Sequence, residues 1–73
     1  MKFKVGDLVY IVRYHLKIRM NALTGIVLNI RTVEPIHETA GEAFIIQLLE
    51  TQGNITDYFL NHRDTVKVLC AAG

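Results

Sequence analysis

Apolar residues in this chain come in short runs that end at turn signals, and none keeps a helical period for long. The first run, Leu8-Val9-Tyr10-Ile11-Val12, mixes aliphatic, β-branched and aromatic residues and is entered through Gly6-Asp7. Glycine accepts a positive φ and aspartate bonds the backbone two residues on, so this dipeptide delivers the chain into a buried strand. A second run, Gly25 to Val33, is closed by Pro35, which has no donor for further ladder bonds. With Asn29 and Arg31 toward water, Ile26, Leu28 and Ile30 form its core set, and a bulge shifts that register by one. Glu42 to Leu49 predicts a third strand with Phe44, Ile46 and Leu48 inward. Gln52-Gly53-Asn54 is a tight reversal into a fourth strand, Ile55 to Leu60, and the two make a hairpin. Thr65 to Leu69 alternates as a short fifth strand. One helical turn over Asn61-His62-Arg63-Asp64 precedes it, and a frayed tail from Cys70 to Gly73 follows.

Between the first two strands the pattern changes, because Arg13 to Met20 alternates basic and apolar residues with period two. In an extended segment His15, Lys17 and Arg19 share one face and Leu16, Ile18 and Met20 the other. The resulting basic stripe belongs either to an extended loop or hairpin arm, or to a short helix over residues 14 to 20. Asn21 to Gly25 then permits a reversal. Residues 34 to 41, polar and holding Pro35 and Gly41, read as a surface loop.

These elements make one all-β domain spanning residues 1–73. A chain this short buries only roughly 60% of the surface it exposes when unfolded. Yet 51% of its residues are hydrophobic, more than so thin a core takes up. The surplus falls where alternation points outward: Val9 or Leu8, Val27, Ile45 and Leu49. Either both faces of the sheet are covered within the barrel, or part of the outside is buried against a second copy or another protein, and the second outlet is the one expected. The longest apolar run is far below the ~20 residues that cross a bilayer, and the N-terminus lacks a signal peptide's apolar core. A cytoplasmic chain with no membrane partner is therefore expected.

Charge refines this picture. Residues 1–31 hold six basic side chains against Asp7 alone, whereas Glu34, Glu38, Glu42, Glu50, Asp57 and Asp64 later face only Arg63 and Lys67. Such asymmetry suits an anionic partner or head-to-tail association. The candidate binding residues are Arg13, Tyr14, His15, Lys17 and Arg19: the cations contact phosphate or an acidic surface, and Tyr14 stacks on an unpaired base. Other candidates for chemistry are weak. His62-Arg63-Asp64 spells the protein-kinase catalytic tripeptide without the Gly-rich loop, phosphate-pairing lysine and metal-binding aspartate that it needs. His15, His37 and His62 lack metal-ligand spacing, and Cys70, the single cysteine, has no basic neighbour in sequence to activate it. Glu34, Glu38 and Glu42 sit in a segment broken by Pro35 and Gly41. No catalytic residue, metal, cofactor or small-molecule substrate is inferred.

The opening KVGDLVYIV, the strand TGIVLNI and the hairpin FIIQLLETQGNITDYFL resemble a Src-homology-3-like barrel. They are similar to KOW-like and Tudor-like small barrels, including short modules of bacterial and tailed-phage proteins. The resemblance implies a five-stranded barrel with one short helical turn before the last strand. The chain has no Trp and only six aromatic residues, which speaks against a proline-rich-peptide groove or a methyl-lysine cage. The expected function is a non-enzymatic binding or structural module acting through protein–protein association, in a phage or bacterial assembly, and in the host cytoplasm if phage-encoded. The alternative is a KOW-like nucleic-acid-binding module using Arg13, Lys17 and Arg19.

Overall fold

Strand formers become strands in this protein, and the longest of them holds the sheet together. The computed structural model describes residues 2–33, 43–60 and 64–72. Its elements are β1 (Leu8–His15), β2 (Ile18–Val33), β3 (Ala43–Glu50), β4 (Ile55–Leu60) and β5 (Asp64–Cys70). They form one antiparallel sheet in the order β4-β3-β2-β1-β5. At 16 residues β2 is twice the length of β1. It spends its first half on β1 and its second half on β3, with Gly25 and Ile26 paired to both.

Alternation sends one face of each strand into a shared core. Val9, Ile11, Val27, Ile46 and Leu48 are at most 1% exposed, and Phe3, Tyr58 and Leu60 join them. Leu23, Ile30, Phe44, Val66 and Val68 pack against this cluster. Burying one such aliphatic side chain contributes about 1.5–3 kcal/mol, so the inward set of β3 expected from sequence, Phe44, Ile46 and Leu48, supplies much of the sheet's cohesion.

The expected inward set of β2 needs correction. Between β2 and β3 the register steps from Val27↔Leu48 to Asn29↔Gln47, leaving Leu28 as the extra residue of a bulge. Val27 and Ile30 therefore face the core, while Ile26 and Leu28 are exposed. Bulges also interrupt the ladders of β1 with β2 and of β1 with β5. Val27, expected among the outward surplus, is wholly buried. Of the pair Val9 and Leu8 it is Leu8 that keeps some exposure.

Both chain ends are tied to the sheet through Asp7. Gly6, at φ 95°, donates to the Val27 carbonyl at 2.8 Å, and Val27 donates back to the Asp7 carbonyl at 2.9 Å. The buried Asp7 carboxylate accepts the Ala72 N–H at 2.7 Å and the Lys4 N–H at 2.9 Å. These two donors, Ala72 foremost, hold the carboxyl below its ordinary range. The tail expected to fray from Cys70 to Gly73 is instead pinned as far as Ala72, since Cys70 ends β5 and Ala72 is bonded, and Gly73 lies outside the described residues. Of the helical turn expected over Asn61 to Asp64, Asn61, His62 and Arg63 lie outside the described residues, and Asp64 opens β5. The loop expected over residues 34 to 41 also lies outside them.

The β3–β4 hairpin follows expectation. Gly53 sits at φ 94° and donates to Glu50 O at 2.8 Å, and Glu50 N donates to Asn54 O at 2.8 Å. The Thr56 hydroxyl donates to the Glu50 carboxylate across the same reversal.

Candidate functional site

The candidate site is the far end of the first hairpin, held in place by a polar clasp at its base. The clasp joins β1, β4 and β5. Arg13 Nε donates to Asp64 Oδ1 at 2.8 Å and Nη2 to Oδ2 at 3.0 Å, a bidentate pair. Nη2 also donates to the Phe59 carbonyl at 2.7 Å. The Tyr58 hydroxyl donates to Asp64 Oδ1 at 2.9 Å, and the guanidinium carbon of Arg13 lies 5.1 Å from the Tyr58 ring centroid. The Asp64 side chain is completely shielded from solvent. Its carboxylate raises the Arg13 pKa above the ordinary value, while burial, helped by Asp64, pushes the Tyr58 phenol up to about 12. Side chains of the two edge strands, β4 and β5, meet here without sharing a ladder.

Beyond the clasp the hairpin runs on with no third strand beside it among the described residues. Pairing of β5 with β1 ends at Arg13↔Asp64, and pairing of β3 with β2 starts only at Gly25. From Tyr14 to Met20 the arm is two strands alone. It reverses on Leu16 and Lys17 between the paired residues His15 and Ile18. Both turn residues are left-handed, at φ 51° and 66°, as a two-residue primed turn demands. Asn-Gly is the usual solution there. For Leu and Lys the conformation costs roughly 1–2 kcal/mol per residue.

This geometry takes the basic stripe apart. Arg13 is consumed by the clasp. His15 pairs with Ile18, Lys17 is in the turn, and Tyr14 pairs with Arg19 after a bulge that leaves Met20 as the extra residue. The short helix over residues 14 to 20 does not form, and the extended hairpin arm does. Arg19 Nη1 reaches the Tyr10 hydroxyl at 3.4 Å. What the arm presents instead is an apolar tip set among cations: Leu16 is 82% exposed, Ile18 64% and Met20 61%, with Tyr14 also exposed. No acidic residue occurs from Leu8 to Val33. Such a tip has the chemistry to enter an apolar socket with an acidic rim.

Sequence reasoning placed Tyr14, His15, Lys17 and Arg19 on this arm, and it missed the anchoring roles of Tyr58 and Asp64. Arg13 and Asp64 are 51 positions apart, and only their opposite charges offered a signal. Among the described residues no group of three or more His, Cys, Asp and Glu is gathered as for a metal, and the Cys70 thiol is exposed. A shallow polar hollow lined by Asn29, Arg31, Ile45, Gln47 and Asp57 lies on the outer face of β2, β3 and β4. No helix of the described chain is long and apolar enough to cross a membrane. The chain matches no protein-family model, no curated protein and no solved structure.

Proposed function

We propose that this protein is a non-enzymatic binding module, a small Src-homology-3-like barrel, that works by protein–protein association within a larger assembly in the cytoplasm. The strand order β4-β3-β2-β1-β5 and the side-chain link between β4 and β5 are compatible with that barrel. The observation that carries the function is the exposure of Leu16, Ile18 and Met20 on an arm anchored by an ion pair whose carboxylate is buried. Apolar groups held in water on a rigid base are a contact surface in waiting. The arm's cations add orientation and speed of encounter more than affinity.

The competing reading, a nucleic-acid module, keeps Lys17, Arg19 and Tyr14 but loses Arg13 to the clasp. A photo-crosslinker at position 16, irradiated in extract of the producing cell, separates the two. The expected result is a defined protein adduct that disappears in Ile18→Ser with Met20→Ser. A nucleic-acid adduct, together with salt-dependent oligonucleotide binding lost in Lys17→Glu with Arg19→Glu, would overturn the protein reading.

A further inference from the structure

The first hairpin departs twice from a regular ladder, and both departures follow from its having to turn. From Leu8↔Ile26 to Arg13↔Asn21 the pairing of β1 with β2 keeps one register. Continued unshifted, that register would pair Tyr14 with Met20, His15 with Arg19 and Leu16 with Ile18, and would leave Lys17 alone at the reversal. A reversal on one residue is tighter than the two-residue loops that hairpins use. The chain therefore slips by one. Met20 drops out as a bulge, Tyr14 pairs with Arg19 and His15 with Ile18, and the turn falls on Leu16 and Lys17 at φ 51° and 66°. Neither side chain suits the left-handed region.

The sequence is written for the unshifted register. Arg13 to Met20 holds no Gly, Pro, Asn or Asp, the residues that turns select. Tyr14, Leu16, Ile18 and Met20 are spaced two apart, as on one face of an uninterrupted strand, with His15, Lys17 and Arg19 on the other. That register is symmetric about Lys17. Two identical strands therefore satisfy it when they pair antiparallel about a two-fold axis at Lys17, without a turn and without a bulge.

We propose that the first hairpin opens and that two copies exchange their N-terminal segments, so that each β1 lies between β2 and β5 of the other copy. This rests on the reading of the arm as a contact surface and names a second copy as its partner. The occupant is fixed by identity, because the place that β1 leaves accepts Val9 and Ile11 into the core, Arg13 on Asp64 and the Phe59 carbonyl, and Asp7 on the Ala72 N–H. Another β1 of this chain remakes all of these contacts. Exchange thus alters only the arm. There the two left-handed residues of each copy become extended, the Met20 bulge closes, and Tyr14 meets Met20 and Leu16 meets Ile18 across the copies. Those four side chains are the ones that the closed form leaves in water, Leu16 82%, Ile18 64%, Met20 61% and Tyr14 44% exposed. The ribbon from Arg13 to Asn21 holds the two sheets about 27 Å apart, so they do not collide. Against exchange stand the joining of two chains into one particle and the meeting of two Lys17 side chains at the axis, so concentration sets the balance.

The full chain, refolded from urea at micromolar to millimolar concentration and separated by size, tests this. The expected result is a dimer whose fraction rises with concentration. In it, isotope-filtered NMR of mixed labelled and unlabelled chains should show Ile11, which pairs with Val66, touching Val66 of the other copy. Lys17→Val sets a β-branched residue at the left-handed position of the closed form and removes the charge at the axis, and should tighten the dimer roughly tenfold or more. Leu16→Asn with Lys17→Gly suits the closed turn and should weaken it roughly a hundredfold or more. A monomer at every concentration in both wild type and Lys17→Val overturns the exchange; a position-16 adduct with a different protein would then keep the arm reading, and no protein adduct would remove both. A dimer that survives Leu16→Asn with Lys17→Gly undiminished, or in which the Ile11–Val66 contact stays within one chain, overturns the exchange in favour of contact between closed copies.

Discussion

The β3–β4 hairpin turns at Gly53, at φ 94°, where an added Cβ would meet nothing within 4 Å. The β1–β2 hairpin turns on Leu16 and Lys17, at φ 51° and 66°, with Leu16 almost wholly in solvent. One reversal uses the residue suited to its backbone and leads between two strands of the core. The other places side chains where their conformation is costly, at the end of an arm that the rest of the sheet does not touch. Backbone strain of this kind is retained where the surroundings over-determine it or where the strained residue is itself wanted. Among the described residues nothing packs on the arm tip, so the strain accords with the second explanation and with the contact role proposed for Leu16.

The two hairpins are joined at the clasp, and the largest effect is expected there. Asp64→Ala leaves the Arg13 guanidinium without its carboxylate and the Tyr58 hydroxyl without its acceptor. Breaking a buried pair in this way typically costs 3–5 kcal/mol, and the one-third exposure of Arg13 lets water relieve part of it, so about 3 kcal/mol is expected. A domain of this length holds only ~0.05–0.15 kcal/mol per residue, so the urea midpoint should fall steeply. A loss below about 1 kcal/mol would mean that the hairpins cohere through the apolar core alone.

Gly53→Val tests the second hairpin by itself. The added side chain meets no neighbour, so its whole cost is the backbone conformation, about 1–3 kcal/mol for a β-branched residue at positive φ. Thermal unfolding should shift down accordingly. An unchanged midpoint would show that the turn relaxes to another form without disturbing the ladder.

Tyr58→Phe probes the clasp from the β4 side. At neutral pH it removes one hydrogen bond, about 1 kcal/mol. Its pH dependence is more telling. The folded phenol ionises near 12 instead of the ordinary 10, so folding favours the protonated form. That contribution is complete below pH 10 and lost as pH rises from 10 through 12. Wild-type stability should fall across this window, and Tyr58→Phe should flatten that fall. An equal fall in both proteins would assign the alkaline loss to other groups.

The contrast between the hairpins also marks what the sequence could show. β3, its turn and β4 were legible because alternation, a glycine and strand-forming residues all agree over Glu42 to Leu60. The arm was legible as one alternative, since Arg13 to Met20 carries no turn residue and its alternation fits a loop or a helix as well. The stripe misled because period two holds only within a strand, and two left-handed residues with a bulge at Met20 interrupt it. Leu28 misled for the same reason, through a bulge that nothing in its own side chain signals. The clasp was beyond reach because it joins residues that only the finished sheet brings together.

The smallest expected effect has the opposite sign. Replacing Leu16→Asn together with Lys17→Gly installs the pair that a primed two-residue turn prefers. Relief of two left-handed residues is worth roughly 1–2 kcal/mol each, and the added freedom of glycine in the unfolded chain returns roughly 0.5–1 kcal/mol. Arm residues also unfold in part before the core does, because a two-stranded ribbon is marginal by itself. The net gain expected in the urea midpoint is therefore about 1 kcal/mol. The clasp and its alkaline transition should be unaffected. With the crosslinker moved to position 18, the protein adduct should nonetheless weaken, because the apolar tip has been traded for a polar one. A variant that is more stable and yet binds less would separate the arm's cost from its use. If it binds as well as the wild type, Leu16 is no anchor, and the strained turn is left without a function.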